Sequence, residues 1–158
     1  MARRLALVLG LASLVVVGAA LGAALGAKEP KLSSPVRVRV IEHATTDVVI
    51  DTGRGGDSSG DLLTFHNKVY NGENTRVVGW DQGTCVRMDP REGTWECAWT
   101  TSLRDGHITV EGPFYDNRDV SRLAVTGGTG MYRNARGVMT LNARHGGTEY
   151  AFIFDLIP

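Results

Sequence analysis

The sequence predicts an all-β fold, an eight-stranded antiparallel β-barrel, and three observations carry that reading. From residue 36 to residue 158 apolar and polar residues alternate with period two, the mark of strands with one dry and one wet face. Turn-forming residues break these runs at short, even intervals, as in a sandwich or barrel. No part of this region keeps a helical period, and Pro90, Gly93, Gly106 and Pro113 punctuate it too often for long helices.

Taken in order, the chain begins with a segment of another kind. Arg3 and Arg4 precede an uncharged apolar stretch from Leu5 to Leu25, and Ala23, Ala24, Gly26 and Ala27 follow as a small-residue zone before Lys28. Basic, apolar and small regions in that order predict a secretory signal peptide over residues 1–27, and so an extracellular protein. An uncleaved membrane anchor is the alternative, because the run approaches the roughly 20 residues that span a bilayer. Residues 28–35, with Pro30, read as a polar spacer, and residues 36–158 as the barrel domain.

In the first strand Val36, Val38 and Val40 alternate with Arg37 and Arg39, which places Glu42 on the dry face. After the glycine-rich loop 53–60, Leu63, Phe65 and Val69 share a face with Asn67. Further strands are expected at about 75–88, 94–102, 107–112, 121–127, 136–143 and 148–156. In the last, Tyr150, Phe152, Phe154 and Leu156 alternate with Glu149, Ala151, Ile153 and Asp155. Eight strands close into a barrel just wide enough for its own side chains or one small ligand.

Composition narrows the function. Basic and acidic side chains number 17 each, and removal of residues 1–27 leaves 15 against 17. A domain without a basic field has nothing to steer a phosphate backbone, which argues against a nucleic-acid partner. The chain's two cysteines, Cys85 and Cys97, flank the segment 89–93. If that segment is a hairpin turn centred near Arg91, they stand opposite each other at about the separation a disulfide needs, and an oxidising compartment favours the bond. His43, His66, His107 and His145 lack metal-ligand spacing, so no metal site is expected. Gly127, Gly128 and Gly130 lead into a strand rather than a helix, and read as a tight turn rather than a phosphate cradle.

The runs GDLLTFHNKVY, GTCV, DGHITVEGPF and LAVTGGTGMYRNARG, in that order between Gly60 and Gly137, resemble the allene oxide cyclase barrel. The GGTG and ARG elements are also similar to the related dirigent proteins. The resemblance implies an eight-stranded antiparallel barrel, commonly trimeric, that needs no cofactor. It implies an apolar interior in which an unsaturated molecule is closed into a ring or a coupling is guided. It matches the family glutamate to Glu42, a water-holding asparagine to Asn67, the family cysteine to Cys85, and apolar wall positions to Leu63, Phe65, Trp95 and Phe114. Departures are plain: Ala44 stands where the plant cyclases carry a second asparagine, the Ser-Pro pair after it is missing, and the acidic pair of dirigent proteins near His66 and Asn67 is absent.

Glu42 and Asn67 are therefore the candidate catalytic pair, the alternative for Glu42 being a solvated place at the end of its strand at the barrel mouth. A carboxyl group among apolar side chains has its pKa raised by desolvation and is suited to giving or taking a proton. Asn67 would hold a water or bond to a neighbouring loop. Candidate ligand contacts are Leu63, Phe65, Trp95, Trp99, Phe114 and Phe154, with Arg136 facing a ligand oxygen or packing at the barrel rim. Three functions fit: a cofactor-free cyclase or isomerase, a non-catalytic binder or guide for a small hydrophobic molecule, and a structural barrel filled by its own side chains.

Overall fold

The computed structural model describes residues 31–158. The expected signal peptide and the first part of the spacer lie outside the described residues. Nine strands follow in order: β1 (Val36–His43), β2 (Val48–Ile50), β3 (Leu62–Asn71), β4 (Val77–Asp89), β5 (Thr94–Leu103), β6 (Gly106–Tyr115), β7 (Val120–Gly128), β8 (Arg136–Arg144) and β9 (Glu149–Ile157). They form one antiparallel sheet in the order β1-β9-β8-β7-β6-β5-β4-β3-β2, which pairing of β1 with β3 closes into an eight-stranded barrel.

The ninth strand is the part that alternation did not announce. Val40 to His43 pair with Asn71 to Lys68 of β3, and Val48 to Ile50 then pair with Thr64 to Leu62 further along the same edge. β2 is thus β1 resumed after an interruption at residues 44–47. Its three residues are all exposed, so no dry face marks them as a strand. β6 also runs further than expected, through Pro113 to Tyr115. The β6–β7 ladder has by then stopped at Glu111 and Ala124, and proline is tolerated where a strand has one ladder instead of two.

The barrel's two ends differ. One carries the loop 51–61 and the turns 89–93, 116–119 and 145–148. At the other, the short 3₁₀ turn Gly130–Tyr132 joins β7 to β8, as the tight-turn reading of the glycine run anticipates. There Leu32, within the segment read as a spacer, is buried and donates its amide to Met131 O at 3.0 Å.

Between the ends lies a core of inward-facing residues, among them Val40, Val69, Ile108, Val110, Leu123, Val125, Met139, Leu141, Phe152, Phe154 and Leu156. One inward position must be glycine: a Cβ on Gly83 would stand 2.3 Å from the Trp99 Cβ. The β4–β5 turn is centred where the cysteine spacing requires, with Gly93 at φ 65°. Cys85 therefore faces Cys97 with Cα atoms 4.0 Å apart, and the two are joined by a disulfide inside the barrel.

Candidate functional site

The interruption between β1 and β2 builds the site. Where the chain leaves the ladder at residues 44–47 its amides need new partners, and the buried Asn67 of β3 supplies them. Asn67 Oδ1 accepts from Thr45 N at 3.0 Å, Thr46 N at 2.9 Å and Thr46 Oγ1 at 2.9 Å. Its Nδ2 donates to Glu42 Oε1 and to Asp47 Oδ1, both at 2.6 Å. Both amide hydrogens are taken by protein oxygens, so the expected water-holding role has no free donor. Asn67 instead ties the break in the strand to two carboxyl groups.

Glu42 is 4% exposed. Burial pushes its pKa up to about 7, against the lowering effect of the Asn67 hydrogen bond, and nearby Asp47 adds to the rise. A third carboxyl group lies one strand over. Asp81 of β4 pairs with Asn67 across the ladder, is fully buried, and is held well above the ordinary carboxylate range by desolvation first and by Glu42 and Asp47 second. Among the described residues, no group of three or more His, Cys, Asp or Glu side chains is arranged to hold a metal ion.

Glu42 and Asp47 open onto a cavity of about 70 Å³ walled by Leu63, Phe65, Trp99, Phe114, Leu141, Tyr150, Phe152 and the Cys85–Cys97 disulfide. Phe65 meets Trp99 edge-on at 6.0 Å, and Trp99 tilts against Phe152 at 5.5 Å. Tyr150 is the cross-strand partner of Glu42. Burial, reinforced by the Glu42 charge, pushes its phenol up to about 12, so at neutral pH it keeps its proton and remains a hydrogen-bond donor. Phe114 packs edge-on against Tyr150 at 5.9 Å, and both residues also line an outer hollow between the 116–119 and 144–147 turns. The two rings therefore stand between the cavity and that hollow.

Of the residues singled out by sequence, Glu42, Leu63, Phe65, Trp99 and Phe114 meet at this cavity. Asn67 lies behind its floor. Trp95 is buried, but its Nε1 donates to Asp116 at 3.0 Å and its ring lies under the Arg87 guanidinium at 4.7 Å, which places it in a separate hollow by the 51–61 loop. Phe154 is in the solid core against Phe152. Arg136 sits exposed at the far end of the barrel, where it donates to Ala135 O, because β8 begins there. Asp47, Tyr150, Phe152, Leu141 and Asp81 are the additions. Tyr150 and Phe152 share the inward face already read in β9, whereas Asp47 is positioned by the strand break and carries no periodic signal.

A closed antiparallel barrel of eight strands with a small, aromatic-walled interior and a buried acid on its wall defines the class of protein. Within that class the family follows directly. The allene oxide cyclase family model matches residues 32–154, and the chain belongs to that family. Among solved structures it is similar to a pyocyanin demethylase, with TM-score 0.68 and 24% identity over 77% of this chain and 100% of the other. It is also similar to a pterocarpan synthase dirigent protein, with TM-score 0.64 and 16% identity over 77% of this chain and 82% of that one. A third is the Diels-Alderase AbmU from Streptomyces koyangensis, with TM-score 0.62 and 16% identity over 78% and 65% of the two chains. At such identities these likenesses speak for the fold.

Proposed function

We propose that the barrel takes up a small, largely apolar, unsaturated molecule and that Glu42 acts on it as an acid–base group in a cofactor-independent ring-forming or isomerising reaction. The observation that carries this reading is the setting of Glu42. Its Oε1 is tied to Asn67, its proton affinity is poised near neutrality, and it borders a cavity walled by aromatic rings. A general acid or base works best with its pKa near the working pH. Tyr150, next to Glu42 across the strand pair, supplies a neutral phenol that would donate to an oxygen on the ligand while Glu42 exchanges the proton. The rings of Phe65, Trp99 and Phe152 would hold the ligand in one orientation, which lowers the entropic part of the barrier.

Glu42→Gln keeps the volume and the bond to Asn67 but loses the exchangeable proton. Turnover of a converted polyene or phenolic compound should fall by about 10²–10⁴ with affinity nearly intact. Phe65→Ala should weaken binding of the same compound. Unchanged turnover in Glu42→Gln would remove the carboxyl group from the chemistry.

The size of the cavity favours a second reading. About 70 Å³ is well below the roughly 300–1,000 Å³ of ordinary small-molecule pockets, as expected of a barrel largely filled by its own side chains. Trp99 fluorescence that ignores a broad panel of fatty-acid, polyene and phenolic ligands would select that structural role. The N-terminal pattern supports export, with a mature chain beginning between Gly22 and Lys28. An intact mass in that range from culture medium is the expected result, and a full-length mass in the membrane fraction would mean an anchor.

A further inference from the structure

Beneath the cavity floor the barrel contains polar groups that the proposed chemistry does not use. Across the β3–β4–β5 ladders Asn67 pairs with Asp81 and Asp81 with Thr101, three buried polar residues in one inward row. Asn67 is saturated by its neighbours, but both Asp81 carboxyl oxygens, Thr101 Oγ1 and, two residues along β5, Trp99 Nε1 have no protein partner. Orphaned polar atoms at such depth are costly, and so many on two adjacent strands is unusual for a folded interior. Water is the small partner that satisfies donors and acceptors together.

The protons in this row are also constrained. The three carboxyl groups of Glu42, Asp47 and Asp81 are near enough to repel one another, and the Asn67 amide offers them two hydrogens, both spent on Glu42 and Asp47. The groups acting on Glu42 and Asp81 are burial, other carboxylates and local amides, with no basic side chain among them. Toward Asp81, β5 presents the hydroxyl of Thr101, and β3 presents the neutral Asn67 with Glu42 and Asp47 behind it.

We propose that Asp81 and Thr101 form a buried water site beneath the pocket floor, and that Asp81 stands there as a neutral carboxylic acid beside the Glu42 cluster. A neutral Asp81 brings a hydrogen-bond donor into an acceptor-rich interior without adding a charge that would hold Glu42 protonated. This inference rests on Glu42 being the acid–base group, but it is read in the ligand-free protein, so its failure is distinct from a failure to find turnover.

The experiment is a carboxyl ¹³C NMR titration of the whole protein, labelled at Asp and Glu, together with a high-resolution crystal structure. Asp81 should keep the shift of a protonated acid while Glu42 inflects near pH 7. Asp81→Asn, which mimics the neutral acid, should leave the Glu42 inflection within about half a pH unit. The crystal structure should show a water bonded to both Asp81 and Thr101. An Asp81 shift of the ionised form at pH 7, a fall of a full unit or more in the Glu42 inflection on Asp81→Asn, or a dry Asp81–Thr101 pair would each overturn the proposal.

Discussion

The two walls of the barrel obey the same alternation and differ in where their buried polar groups fall. On β7, β8 and β9 the inward positions Leu123, Val125, Met139, Leu141, Phe152, Phe154 and Leu156 form a largely apolar surface, with Ser121 and Tyr150 toward one end. On β1, β3, β4 and β5 they include Glu42, Asn67, Asp81 and Thr101, all buried. The difference teaches that one wall provides much of the packing that lets the other carry groups which weaken a core. A buried polar row is costly wherever its hydrogen bonds are incomplete, and packing against large apolar side chains offsets that cost.

The sharpest way to break the comparison is to damage the apolar wall. Phe154→Ala removes a fully buried ring far from any polar partner, and should cost about 3–5 kcal/mol in denaturant unfolding. A loss under 1 kcal/mol would mean that the polar wall and its disulfide hold the barrel by themselves.

The second test sharpens the contrast from the polar side, and its effect is smaller and depends on pH. Glu42 is raised from its ordinary 4.5 to about 7, so between those values the folded state holds a proton that the unfolded state has released. The stability contributed by neutral Glu42 is fully present below about pH 4.5 and is lost as pH rises through 7. The fall should be on the order of 3 kcal/mol. Glu42→Gln is locked in the neutral form, so stability curves from pH 4 to 8 should lose this component of their slope. An identical slope in wild type and variant would show that burial of Glu42 is relieved by solvent.

Strand positions were legible where one face was clearly apolar, as in β9, and so was the Cys85–Cys97 register, because a short turn fixes which residues oppose. Glu42 and Asn67 stood out as polar residues in apolar phase. Asp81 did not. Its neighbours on the inward face of β4 are Gly79 and Gly83, which carry no hydrophobic signal, while the outward positions Trp80, Val86 and Met88 are apolar and exposed. The phase of β4 was nevertheless available from Cys85, since stepping back by two residues leads through Gly83 to Asp81. Asp47 was beyond reach of any periodic argument, because it lies in the break that Asn67 organises. Alternation puts Trp95 and Arg136 on strands but does not say which barrel end each approaches, and that decides whether they reach the cavity.

Asn67 couples two parts of the barrel that could otherwise be changed separately. One amide fastens both the closing seam of the barrel and the acid on its wall. A substitution at Asn67 therefore disturbs the acid's setting and the seam together. Phe65 and Phe114, by contrast, are partly buried, touch the cavity and make none of these bonds, so changes there would reshape the cavity while leaving the Asn67 tie intact.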